Sequence, residues 1–201
     1  MSQAAGPPES RESTTRALVL GGAVVALYLS LGAIDRLIGR VDGEAPASMA
    51  AASGLHAPIP LPTSDSQPWL ALFTLGDSAA PLVWTFTAVD CTMAVLYGLL
   101  LSGLLAKLRA GQGRRPPTLL RLFTTPRPWV AWAAAAADLV ENVLLLAIFL
   151  TGRAGEQMSA RLVLATAVVS LIKWGALLLA VLPLASVALA WGWRRLGRRG
   201  G

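Results

Sequence analysis

Four long apolar runs dominate this chain, at roughly residues 17–34, 82–106, 129–150 and 162–191. An α-helix rises 1.5 Å per residue, so about 20 apolar residues cross a hydrocarbon core about 30 Å thick. The first run is close to that length and the fourth exceeds it. Composition agrees: 14% of residues are charged, against about 25% in a soluble domain, and the mean hydropathy is +0.60. The expected fold is all-α, a four-transmembrane-helix bundle with no separate soluble domain.

The net charge of +6 is unevenly placed. Lys107, Arg109, Arg114, Arg115, Arg121 and Arg127 lie between runs two and three, Arg194, Arg195, Arg198 and Arg199 close the chain, and Arg11 and Arg16 precede run one. The intervening loop after run one carries Asp35, Asp42, Glu44, Asp65 and Asp77 and is expected to face outward. Basic loops stay on the cytoplasmic side of a membrane. Both termini and the second loop are therefore expected in the cytoplasm of a multi-pass cell (inner or plasma) membrane protein. This placement accounts for the basic balance without nucleic acid. The lipid bilayer is the expected partner, and so thin a bundle leaves room for a homo-oligomer or a membrane partner protein. Ala45-Pro46-Ala47 has the small-x-small pattern of a signal cleavage site. However, run one is longer than a signal core of about 7–15 residues, and charges intervene before Ala45, so a retained helix is expected.

Residues 1–15 read as a disordered cytoplasmic tail, 16–193 as a single four-helix membrane domain and 194–201 as a basic tail. Pro58, Pro60, Pro62 and Pro68 preclude a regular helix through the first loop. PWLALFTLG (68–76) is too short to span. It reads as a short interfacial helix in the first external loop, anchored by Trp69, with a plug over the bundle mouth as its alternative. TLLRLF, in the second loop, reads as a turn or two of amphipathic helix. The boundaries expected for helices two and three are Pro81–Lys107 and Pro128–Leu150, with 151–160 as a hairpin link and helix four starting near Arg161. Pro183 should kink or loosen helix four, because it supplies no N–H. Trp69 and Trp84 fall at one predicted interface, and Trp129, Trp132, Trp191 and Trp193 at the other, as an aromatic belt does.

Several polar residues sit deep inside the runs. Asp138, Glu141 and Asn142 are spaced i, i+3 and i+4, so they share one helix face. Thr87, Asp90 and Tyr97 can share a face of helix two, and Thr166, Ser170 and Lys173 a face of helix four. Counted by rise per residue, Asp138 lies about 14 Å and Glu141 about 18 Å above the inner edge, Lys173 about 13 Å and Asp90 about 20 Å. An ionised side chain at a helix centre costs at least about 2.5–3.5 kcal/mol, so the stripes should converge inside the bundle, with Lys173 paired to Asp138 or Glu141. Asp90, Asp138 and Glu141 are three acids facing one lysine, −2 if all are ionised. Such a cluster should hold a proton, bind a cation or cationic group, or recruit Arg36 from above. Its alternatives are polar glue between helices, or catalysis.

Catalysis has no motif to support it: no H-E-x-x-H, no G-x-S-x-G, no P-loop lysine and no acidic diphosphate motif. The single Cys91 and single His56 supply no metal cluster or triad, and no cofactor is implied. Ala133 with Ala137 has the small-xxx-small spacing of close helix contact. Asp90 followed by Tyr97-Gly98, Asp138-x-x-Glu141-Asn142 and Lys173-Trp174 together resemble a group of uncharacterised bacterial four-helix membrane proteins. The resemblance covers roughly residues 80–180 and departs in the longer, proline-rich first loop. It implies a four-helix fold and groups these residues as a set, and implies no activity. The working site is thus Asp90, Tyr97, Asp138, Glu141, Asn142 and Lys173.

Overall fold

A computed structural model of the chain describes residues 8–41, 73, 75–110, 125, 127–157 and 159–197. Among them there is no strand. Four helices, α1 (Pro8–Val41), α2 (Ala80–Ala110), α3 (Pro128–Arg153) and α4 (Ala160–Gly197), each contain a stretch long and apolar enough to cross a membrane. In hydrocarbon a backbone N–H or C=O finds no water, and a helix satisfies both within itself. The expected boundaries of α2, α3 and α4 hold to within a turn at each start.

Helix extends into both terminal stretches. α1 begins at Pro8, inside the stretch 1–15 read as disordered, and α4 stays helical into 194–201. Proline suits a helix's first turn, and Glu and Arg are good helix formers even without an apolar face. α4 also runs unbroken through Pro183. The interfacial helix expected over 68–76 lies mostly outside the described residues, as do Trp69, TLLRLF and the side chains of Trp191 and Trp193.

α1 packs on α2, α2 on α3 and α3 on α4, with a lesser diagonal contact between α2 and α4. Tyr97 meets Asp138, Gly98 meets Ala135 and Asp77 meets Arg153, so numbering rises along α2 as it falls along α3. The same reversal relates α3 to α4 through Asp138–Lys173 and Glu141–Ser170. Gly155, at φ 69°, closes the α3–α4 hairpin, and its N–H bonds the carbonyl of Gly152 at 3.1 Å. Only glycine takes that left-handed turn without strain.

Burial follows one stripe per helix. On α3 it runs Val130-Ala131, Ala134-Ala135, Ala137-Asp138, Glu141-Asn142, Leu145 and Ile148-Phe149, a helical period. Its alanines let α2 come close: a Cβ added to Gly98 would lie 3.0 Å from Ala135 Cβ and 3.4 Å from the Trp132 ring. The close contact therefore uses Ala135, whereas Ala133 is only half-buried. The outward faces carry Leu18, Val143, Leu164, Leu171 and Leu189, all exposed, while acids, amide and lysine are buried. That inversion of the soluble pattern is what a lipid solvent demands. Trp84, Trp129 and Trp132 are exposed near helix ends, as a belt requires.

The described residues just ahead of α2 pack at one end of the bundle. Leu75 is buried and Phe73 packs on the core. A side chain on Gly152 would collide with the Phe73 carbonyl. After Gly76 a single 3₁₀ turn, Asp77–Ala79, leads into α2. Arg153 donates from Nε to Asp77 Oδ1 at 2.7 Å and lies 5.6 Å from the Phe149 ring centroid. The Asp77 side chain is 83% exposed, so solvent screens this pair. Asp77→Asn is expected to change stability by less than about 1 kcal/mol, whereas Leu75→Ala, which empties a buried position, costs about 2–5 kcal/mol. Thermal melts of the two variants compare them.

Candidate functional site: a buried carboxylate–lysine cluster

α3 delivers Asp138, Glu141 and Asn142 to the interior from one face, and all three are buried. α4 delivers Lys173 and Ser170, and α2 delivers Asp90 and Tyr97, buried as well. The structure thus brings all six expected site residues to one region of the bundle.

Lys173 is shared. Its Nζ donates to Asp138 Oδ1 at 3.1 Å and forms an ion pair with Glu141 Oε2. The sequence leaves open which acid pairs with Lys173; the fold uses both, because residues i and i+3 flank a lysine arriving from the neighbouring helix. Each acid takes a second donor. Tyr97 Oη–H donates to Asp138 Oδ2 at 3.0 Å, and Ser170 Oγ–H to Glu141 Oε1 at 2.5 Å. Three helices are thereby joined by one charged network, and Lys173 Nζ also lies 5.7 Å from the Trp174 ring centroid.

Thr87 and Thr166 of the expected stripes do not join it. Thr87 donates to its own helix at the Val83 carbonyl, 2.9 Å, and Thr166 to Leu162, 2.8 Å. A threonine hydroxyl reaches the i−4 carbonyl of its own helix, so sharing a face does not mean sharing a network. Arg36 is exposed on α1 and does not line the site.

Asp90 is different from the other two acids. It is 1% exposed, neighbours Asn142, and its Oδ1 has no hydrogen-bond donor. Asn142 Nδ2 and Trp174 Nε1 are likewise buried without partners. A buried polar atom left unpaired costs about 1–3 kcal/mol; Asp90 and Asn142, an acceptor and a donor side by side, offset part of that cost in each other, and Trp174 Nε1 has no such neighbour.

A cavity of about 330 Å³ adjoins these groups. Its surface is almost wholly apolar, walled by Val24, Val25 and Tyr28 of α1, Met93 of α2, and Trp174 and Leu177 of α4; Asp90, Tyr97, Asp138 and Lys173 border it while remaining buried. The α1 contribution is invisible in the sequence, where Val24, Val25 and Tyr28 belong to an unremarkable apolar run. Among the described residues no group of three His, Cys, Asp or Glu side chains is placed to hold a metal ion. Comparison of the chain with family models, with curated proteins and with solved structures finds no match in any of the three.

Proposed function

We propose that this multi-pass membrane protein works through its intramembrane charged site, as a transport-like or ligand-binding protein in which the site takes up a proton or a cation. The observation that carries this is the imbalance at Asp90. Asp90, Asp138 and Glu141 are three buried carboxylates around the single Lys173, which pairs with Asp138 and Glu141, so the cluster holds more acid than base, and Asp90 Oδ1 accepts no hydrogen bond. A proton or a cationic group completes it, and the adjoining cavity gives that group a place.

The experiment is a set of thermal melts of the purified protein across about pH 5–9, with and without added monovalent cation. Wild-type stability is expected to vary with pH or cation, and Asp90→Asn to remove the variation. Asp90→Asn should also raise the melting temperature by a few degrees, because the amide keeps the shape and sheds the unpaired charge. A dependence that survives Asp90→Asn, or a wild-type protein indifferent to both variables, overturns the reading.

A second reading has its own observation. The bonds among Tyr97, Asp138, Glu141, Ser170 and Lys173 tie α2, α3 and α4 together, as polar glue in a non-catalytic assembly or interaction protein would. It expects a charge-neutralised cluster to keep fold and partner binding. For orientation, Lys107, Arg109 and Arg127 gather at the α2–α3 end, opposite Asp77 and Glu156. We place that basic end and both termini in the cytoplasm; membrane-impermeant labelling of single cysteines in a Cys91→Ser background tests it.

A further inference from the structure

We infer that the ligand of this site is a compact lipophilic organic amine, which reaches Asp90 sideways from the bilayer between α1 and α4. This rests on the reading of Asp90 as a cation site and adds the ligand's class and route. The first observation is where the cavity opens. α1 packs chiefly on α2, and α4 on α3. The α1–α4 flank is left unsealed. Val25 and Tyr28 line the cavity and are nonetheless 58% and 46% exposed. Lining residues this exposed mark the side on which the cavity opens, along α1.

The second is the donor set of the buried residues that border the cavity. Lys173 already serves two carboxylates, and the Tyr97 hydroxyl proton is committed to Asp138. An anionic head would meet Asp90 with no cation to spare. Asp90 Oδ1, buried and lacking a donor, is met by an N–H that carries positive charge. Trp174 Nε1, buried and unpaired on the same wall, takes an acceptor such as a hydroxyl or ether oxygen on the ligand.

The third is size and lining. About 330 Å³ lies at the lower end of small-molecule sites, roughly 300–1,000 Å³. Valine, methionine and leucine walls suit an apolar body, and the volume is too small for a two-chain lipid. A bare ion would leave these apolar walls uncovered.

An isosteric trio tests the inference: adamantan-1-amine, adamantan-1-ol and adamantane-1-carboxylate, titrated calorimetrically into the protein in lipid nanodiscs, with empty nanodiscs subtracted. The amine is expected to bind at least about tenfold more tightly than the alcohol, a difference of about 1.4 kcal/mol, with no saturable binding of the carboxylate. Asp90→Asn should abolish the amine's advantage. Val25→Trp, which fills the open side and leaves every charged residue in place, should weaken amine binding, whereas Val143→Trp on the outer face of α3 should not. Carboxylate binding as tight as the amine's, or an amine advantage retained in Asp90→Asn, overturns the inference. So does amine binding unaltered by Val25→Trp. If no member of the trio binds while the pH or cation dependence persists and Asp90→Asn removes it, the ligand class fails and the cation site stands.

Discussion

Lys173→Met is expected to destabilise the protein by about 3–5 kcal/mol, the cost of leaving buried charge without its partner. Methionine keeps the length and apolar stem of lysine and removes only the ammonium, so packing changes little. What is left is Asp138 and Glu141, both buried, with Tyr97 and Ser170 as their remaining donors. The loss should appear as a large fall in melting temperature or in folded yield. It should be largely recovered by adding Asp138→Asn and Glu141→Gln, because replacing all the charges together removes the desolvation burden with the attraction. Double-mutant cycles of Lys173 with Asp138 and with Glu141 should both show coupling of about 0.5–3 kcal/mol. If Lys173→Met melts like the wild type, Lys173 is not the counter-charge, and the Asp90 argument fails with it.

Gly98→Val is the second large effect, expected at about 1–3 kcal/mol through overpacking. The Cβ alone would stand 3.0 Å from Ala135 Cβ, and the branched carbons would press on the Trp132 ring. Both neighbours belong to α3, so relief requires the helices to part, and parting them stretches the Tyr97–Asp138 bond one residue away on α2. Gly103→Val is the control. A Cβ there meets nothing within 4 Å, and valine should melt as glycine does or slightly better. Equal loss at both positions would indicate a general effect of β-branching in α2 rather than a close helix contact.

Much of the site was legible before any fold. Asp138, Glu141 and Asn142 recur at helical spacing, and counting residues from the run ends brings them level with Lys173 and Asp90. Those inferences hold because helical rise and periodicity are local properties of the chain. Ser170 and Thr166 looked equivalent by the same criterion, and only Ser170 reaches an acid. The difference is a rotamer choice governed by what stands opposite, and spacing carries no information about that.

The stretch ahead of α2 shows the same limit. PWLALFTLG is apolar enough to lie in an interface or to pack on protein, and both remove it from water. The close approach of Phe73 to Gly152 and the burial of Leu75 place its end against the helices. Hydrophobicity is indifferent to which apolar surface does the covering.

By itself the sequence determined four membrane-crossing helices, their polar stripes and the depth at which those stripes meet, because hydrophobic length and helical rise leave little choice in a bilayer. The tertiary structure alone decided that Lys173 pairs with both Asp138 and Glu141, that Asp90 Oδ1 accepts no hydrogen bond, and that α1 stands off from α4 to leave a cavity beside Asp90. In hydrocarbon an apolar face gains nothing from choosing protein over lipid. Which helices close on one another is therefore settled by small residues, as at Gly98, and by buried polar bonds, which act only between faces already brought together.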